Sequence, residues 1–113
     1  MIIEAILKIN PNAQVSVNDD DINQITWHNG TTPIPIADIQ AQLPIVEFDM
    51  AMEDLRSKRN KLLADTDYTV LQDSTYTDAQ VAEWVIYRQA LRDITNGLTT
   101  VEEVNSVTFP IKP

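Results

Sequence analysis

From Ile45 onward the apolar residues recur at three- and four-residue steps: Ile45, Phe48, Met52, Leu55 and Leu62, with Arg59 the one polar member of the series. That period belongs to an α-helix with one face to cover, and the run predicts a helix of about five turns. It is too short to establish a coiled coil, which needs several sustained heptads, so the cover is sought within the chain. A second helix is predicted from Thr77-Asp78-Ala79-Gln80, where the Thr77 hydroxyl can accept an amide proton and Gln80 can reach back. Its stripe is Trp84, Tyr87, Leu91 and Ile94, with Val81 and Arg88 beside it, and it ends near Thr95 ahead of Asn96-Gly97, residues suited to a left-handed cap. Between the helices, Asp65 to Thr77 is turn-rich, yet Tyr68, Val70 and Leu71 predict that it packs down. Residues 37–97 therefore read as a helical hairpin. Ala37 to Leu43 is also helical in character, and Pro44 either kinks that helix or opens a new one, because proline lacks an amide hydrogen and disfavours helical geometry before it.

The first 36 residues carry a different pattern. Ile3, Ala5, Leu7 and Ile9 alternate with Glu4 and Lys8, so Ile2 to Ile9 is read as a strand. Asn10-Pro11-Asn12-Ala13 supplies a turn, and Gln14 to Asn18, with Val15 and Val17 on one face, returns as a second strand. Ile22 to His28 is a third, with Ile25 and Trp27 on one face. Asn29-Gly30 is a hairpin signal. Thr31 to Ile36 is a short fourth strand placed at an edge, because Pro33 and Pro35 remove ladder donors. The tail has a turn of helix at Thr100 to Val104, then the extended SVTFPIKP. The predicted fold is α+β. A small N-terminal antiparallel β-meander of three to four strands (1–36) precedes the helical hairpin (37–97) and an extended C-terminal tail (98–113), all in one small domain.

Composition limits the functions open to this fold. In 113 residues, 43% hydrophobic content supports a packed core, although one small enough to leave room for self-association into a homo-oligomer. Acids outnumber bases by 17 to 8, for a net charge of −9, which argues against phosphate-backbone binding and so against nucleic acid. No cysteine is present, which removes disulfides and thiolate metal sites. The start, MIIEAILKINPN, lacks the basic region of a signal peptide, and no window reaches the ~18 apolar residues of a membrane span. The expected setting is a cytoplasm.

Candidate chemistry is sparse. Asp19-Asp20-Asp21 lacks the spaced oxygens and glycine of a calcium loop and reads as a solvated turn. His28 is the only histidine and has no second ligand beside it. Glu102-Glu103 sits on a polar stretch. Arg56, Lys58, Arg59 and Lys61 crowd a helix C-terminus, where cations complement the dipole. No catalytic, cofactor or metal site is predicted, and the chain is not expected to be an enzyme.

Residues Arg56, Arg59, Asn60, Leu62, Leu63, Thr66, Asp67, Tyr68, Asp73, Trp84, Tyr87, Arg88, Gln89, Leu91, Arg92, Asp93 and Ile94, followed by Phe109-Pro110 and Pro113, stand in a recognisable order. They resemble the C-terminal region of the phage tail assembly chaperone proteins, also called tail fibre assembly proteins. Tyr68 and Phe109 occupy positions where that family commonly has tryptophan. The resemblance runs from Arg56 to the C-terminus, about half of the chain. It implies a phage or prophage accessory protein that assists tail or tail-fibre assembly by protein–protein binding, with a phage tail or tail-fibre protein as partner. The alternative it implies is a small structural subunit retained in the virion tail or fibre tip. The physical reading of the motif is a folding signature, in which arginine forks on the two helices bind loop carboxylates such as Asp67 and Asp73, or carbonyls, over Trp84 and Tyr87. Phe109 and Pro110 are the candidate partner contact.

Overall fold

The computed structural model describes all 113 residues, which fold as two compact units, Met1–Asp49 and Met50–Pro113. The fold is α+β. In chain order the elements are helix α1 (Ile2–Ile9), strand β1 (Val15–Val17), a 3-10 turn (Asn18–Asp20), strand β2 (Ile25–Trp27), helix α2 (Ile36–Asp65), a second 3-10 turn (Asp67–Val70), helix α3 (Asp78–Arg92) and helix α4 (Val101–Asn105).

In the first unit, β1 and β2 pair antiparallel with Val15 opposite Trp27, Ser16 opposite Thr26 and Val17 opposite Ile25. Valine, isoleucine and tryptophan face inward half-buried while Ser16 and Thr26 face solvent, the alternation of a sheet covered on one side. The core is Ile2, Ala5, Ile6, Ile39 and Val46, with the strand residues, Ile22, Ile34 and Leu43 packed against it.

Two predicted strands are absent, so the three- to four-stranded meander is a two-stranded sheet. Ile2–Ile9 is helical. The segment IIEAILKI satisfies a period of two through Ile3, Ala5, Leu7 and Ile9, but it satisfies a helical period as well through Ile2, Ala5 and Ile6. Those last three are the residues buried. The helical choice is supported from a distance: the Asp20 carboxylate accepts the Ile2 amide at 2.9 Å, serving an N-terminal donor that Met1 does not cap. Thr31–Pro35 forms no strand either. Asn29 (φ 51°) and Gly30 (φ 73°) do make the tight turn, closed by the Thr31 amide on the His28 carbonyl at 3.0 Å. Past it, Pro33 and Pro35 leave too few donors for a ladder, and the Thr31 hydroxyl instead accepts the Gln14 amide at 3.0 Å.

Helix α2 runs unbroken through Pro44. Pro44 is solvent-exposed, so water can serve the carbonyl that loses its donor, and the helix is not obliged to end. The buried phase in the first unit differs from the predicted one: Ile45 is 47% exposed, whereas Val46 is 2% exposed. Met52 and Leu55, in the second unit, are buried as the period requires.

The second unit is built on a cluster of Trp84, Tyr87 and Leu91, against which Leu62, Leu63, Val70, Tyr76 and Phe109 pack. Helix α3 lies against the Asp67–Val70 turn and opens with the predicted capping box: the Gln80 amide donates to the Thr77 hydroxyl at 3.2 Å, and the Thr77 amide to the Gln80 side chain at 2.9 Å. It ends at Arg92, three residues before the predicted Thr95. Helix α4 is capped by Thr100, whose hydroxyl accepts the Glu103 amide at 3.1 Å, and the residues from Val107 onward have no regular structure. No helix is long and apolar enough to cross a membrane.

Candidate functional site

Among the resemblance-bearing residues, Leu63, Thr66 and Asp67 converge on the Arg88 guanidinium. Leu62 and Leu63 lie in the last turn of α2, where carbonyls run out of i+4 amide partners; the Leu63 carbonyl accepts the Thr66 amide at 3.2 Å, and Thr66 stands one turn further on. The Thr66 hydroxyl donates to the Leu62 carbonyl at 2.7 Å. Arg88, projecting from α3, donates through Nη1 to the Leu63 carbonyl at 2.6 Å and to the Thr66 hydroxyl at 2.9 Å, and through Nη2 to Asp67 Oδ1 at 2.6 Å. Its charge therefore lies against the negative end of α2 as well as against a carboxylate. The pair is unequal: the Arg88 side chain is 7% exposed and that of Asp67 63%. Thr69, fully buried, donates its hydroxyl to the Thr66 carbonyl at 2.6 Å and pins the 3-10 turn. No buried side-chain polar atom is left without a partner.

The other arginines singled out in the sequence lie outside this network. Arg56 is exposed, Arg59 donates through Nε to the neighbouring Asn60 side chain at 3.1 Å, and Arg92 is exposed with no ion pair. Asp73 makes no ion pair or side-chain hydrogen bond. Below the network the aromatics form a chain. Trp84 meets Tyr87 edge-on at 5.5 Å and Tyr76 at 6.3 Å, and Tyr76 meets Tyr68 at 6.4 Å, tilted by 34°. Trp84, Tyr87 and Leu91 are buried, Leu62 and Leu63 half-buried, and Tyr68 is 55% exposed. Phe109 is half-buried against the same cluster and also borders a small cavity with Leu55, Lys58 and Val104, while Pro110 is half-buried beside it.

Sequence reasoning missed Thr69 and Asp20. A threonine three residues after Thr66 at a helix end was the available signal for the first. For the second there was none, because a cap supplied from eighteen residues away is invisible in local sequence. Asp20 is held below the usual carboxylate range, first by the Ile2 amide and then by the Met1 ammonium, so this member of the aspartate run is engaged rather than merely solvated. Glu103 is likewise held down, first by the Thr99 hydroxyl and then by that of Thr100. The Tyr76 phenol is pushed up, chiefly by the facing Tyr68 hydroxyl. His28 shares a hydrogen bond with Ser16 at 2.7 Å on the exposed side of the sheet. No three His, Cys, Asp or Glu side chains converge on a point that could hold a metal ion. Two surface depressions are open. One of about 350 Å³ is lined by Tyr68, Leu71, Asp73, Ser74, Thr75 and Tyr76, and another of about 480 Å³ lies beside Asp19–Asp21 in the first unit.

No curated protein and no solved structure matches the chain. A family model described as phage tail assembly chaperone protein matches residues 52–113, a span that takes in the whole Arg88 network, the aromatic chain and Phe109. Because that match covers more than half of the sequence, the chain belongs to the phage tail assembly chaperone protein family.

Proposed function

We propose that this protein assists phage tail or tail-fibre assembly without catalysis, by binding a tail or tail-fibre protein through surface outside the Arg88 network. Family membership supports a role in building the phage tail. The observation that carries the binding reading is a division of labour within the matched region. Arg88, Thr66, Trp84, Tyr87 and Leu91 are consumed by internal contacts, while Tyr68, Leu71, Val85 and Ile86 stand out from the same elements 49–72% exposed. Large apolar side chains on a well-satisfied framework are what a binding protein offers a partner. On this reading Leu62, Leu63 and the buried members are folding residues, arranged as a helical hairpin that presents the surface, and the exposed Arg56 and Arg92 belong to that surface. Phe109 and Pro110 serve the fold first and a partner second. The chain works in the host cytoplasm, where tails are built.

Mass spectrometry of a pull-down from phage-infected cells, beside purified particles, tests the proposal. Recovery with tail or fibre proteins from lysate and absence from particles is the expected result. A fixed stoichiometry in particles would instead make the protein a structural subunit. Recovery with no phage protein would sink both.

A further inference from the structure

We infer that the open cleft lined by Tyr68, Leu71, Asp73 and Tyr76 receives an arginine or lysine side chain from the partner tail protein, a reading that rests on the assembly function proposed above. Three observations carry it. The cleft is built rather than loose: Tyr68 precedes the fully buried Thr69, the Ser74 amide bonds the Leu71 carbonyl at 3.0 Å, and the Tyr76 amide bonds the Ser74 hydroxyl at 3.2 Å. It offers aromatic and apolar surface to solvent, with Tyr68 and Leu71 each 55% exposed. The one charged residue lining it is an acid, Asp73. The sequence on either side, between Lys61 and Arg88, contains Asp65, Asp67, Asp78 and Glu83 as well and no lysine or arginine. Of these acids only Asp67 is in an ion pair, with Arg88, and Asp73, on the cleft wall, has none.

The chemistry of such a place selects a cation. A tyrosine face is electron-rich and attracts a guanidinium or ammonium group laid over it. An unpaired carboxylate within the same depression adds direct attraction and offers the fork geometry that arginine fits best. The aliphatic stem of the incoming side chain finds Leu71 beside it. An acidic segment would be repelled, and a purely apolar one would leave Asp73 facing it without a counter-charge.

The test uses the intact chain against overlapping peptides from the tail and tail-fibre proteins of its phage, and against those proteins whole. Bound peptides are expected to carry an arginine or lysine whose replacement by glutamine weakens binding about tenfold. Tyr68→Ala and Asp73→Asn should weaken it similarly, and binding should fall as salt rises. The decisive arm exchanges the charges: Asp73→Arg abolishes binding and an Arg→Asp peptide restores it, which a merely structural aspartate would not do. Because Asp73 is exposed, its variants should keep the wild-type unfolding midpoint, and that is checked first. Bound segments without a basic residue, or undiminished binding by Asp73→Asn, overturn the inference while leaving the assembly reading intact. If neither peptides nor whole tail proteins bind the wild-type chain, both fall together.

Discussion

Arg88 is charged and nearly inaccessible, and its three acceptors are a carbonyl, a hydroxyl and a carboxylate that is itself mostly in water. The stabilising part of this arrangement is therefore the carbonyl and hydroxyl contacts at the end of α2 more than the ion pair. Arg88→Met keeps much of the stem's packing but removes the charged donor from the Thr66 hydroxyl and the Leu63 carbonyl, leaving the carbonyl only the longer bonds from the Thr66 amide (3.2 Å) and hydroxyl (3.3 Å), and should cost about 2–4 kcal/mol in urea unfolding followed by Trp84 emission. Asp67→Ala should cost about 1 kcal/mol or less, because an exposed partner is screened by water. Equal losses would show that the ion pair dominates. Trp84→Ala should cost roughly 3–5 kcal/mol, since the ring touches Tyr76 and Tyr87 and is buried. A stably folded Trp84→Ala protein that had lost only partner binding would overturn its assignment to the core.

The elements differ in how their ends are held. Helix α3 carries its own capping box, so Thr77→Ala removes a local interaction and should cost about 1 kcal/mol, measured in the same unfolding experiment. Helix α1 depends instead on Asp20, a residue reached only once the β1–β2 connection has formed. That dependence has a pH signature. A carboxylate held below its unfolded value contributes stability that is present above about pH 4 and is lost as pH falls through the lowered folded value. The unfolding midpoint should drop below about pH 4, and Asp20→Asn should flatten that dependence. Glu103, held down by the Thr99 and Thr100 hydroxyls, should add to the acid dependence with the same sign, with Glu103→Gln removing its share. An unchanged acid profile in both variants would refute the assignment.

At the scale of the whole molecule, each compact unit contains one tryptophan, Trp27 in the first and Trp84 in the second, and α2 supplies residues to both. Since α2 is one hydrogen-bonded helix and helices melt cooperatively, the chain is expected to unfold as a single domain. Trp27→Phe and Trp84→Phe variants should then report coincident urea midpoints through their remaining tryptophan, and separated midpoints would mean two independent folding units. The net charge of −9 belongs to this scale too. It favours approach by basic partners, an effect that should weaken with ionic strength.

Local signals determined the parts of the fold that depend on neighbours in sequence. Thr77 and Gln80 specified a capping box three residues apart, the Met52–Leu55 spacing specified a helix face, and Asn29-Gly30 specified a tight turn. The order of arginines, aromatics and aspartates over residues 56–113 was enough to reveal the family. Tertiary structure decided whatever two local readings left tied. The run Ile2–Ile9 fits both a strand and a helix, and Asp20, distant in sequence, supports the helix. The two halves of the α2 stripe each followed the core they met, so Val46 rather than Ile45 was buried. Nothing local distinguishes Arg88 from Arg56, Arg59 or Arg92 as a hydrogen-bond donor. Only Arg88 reaches the open carbonyl end of α2, because burial of Trp84, Tyr87 and Leu91 turns that face of α3 toward it, and desolvation then makes every one of its hydrogen bonds count.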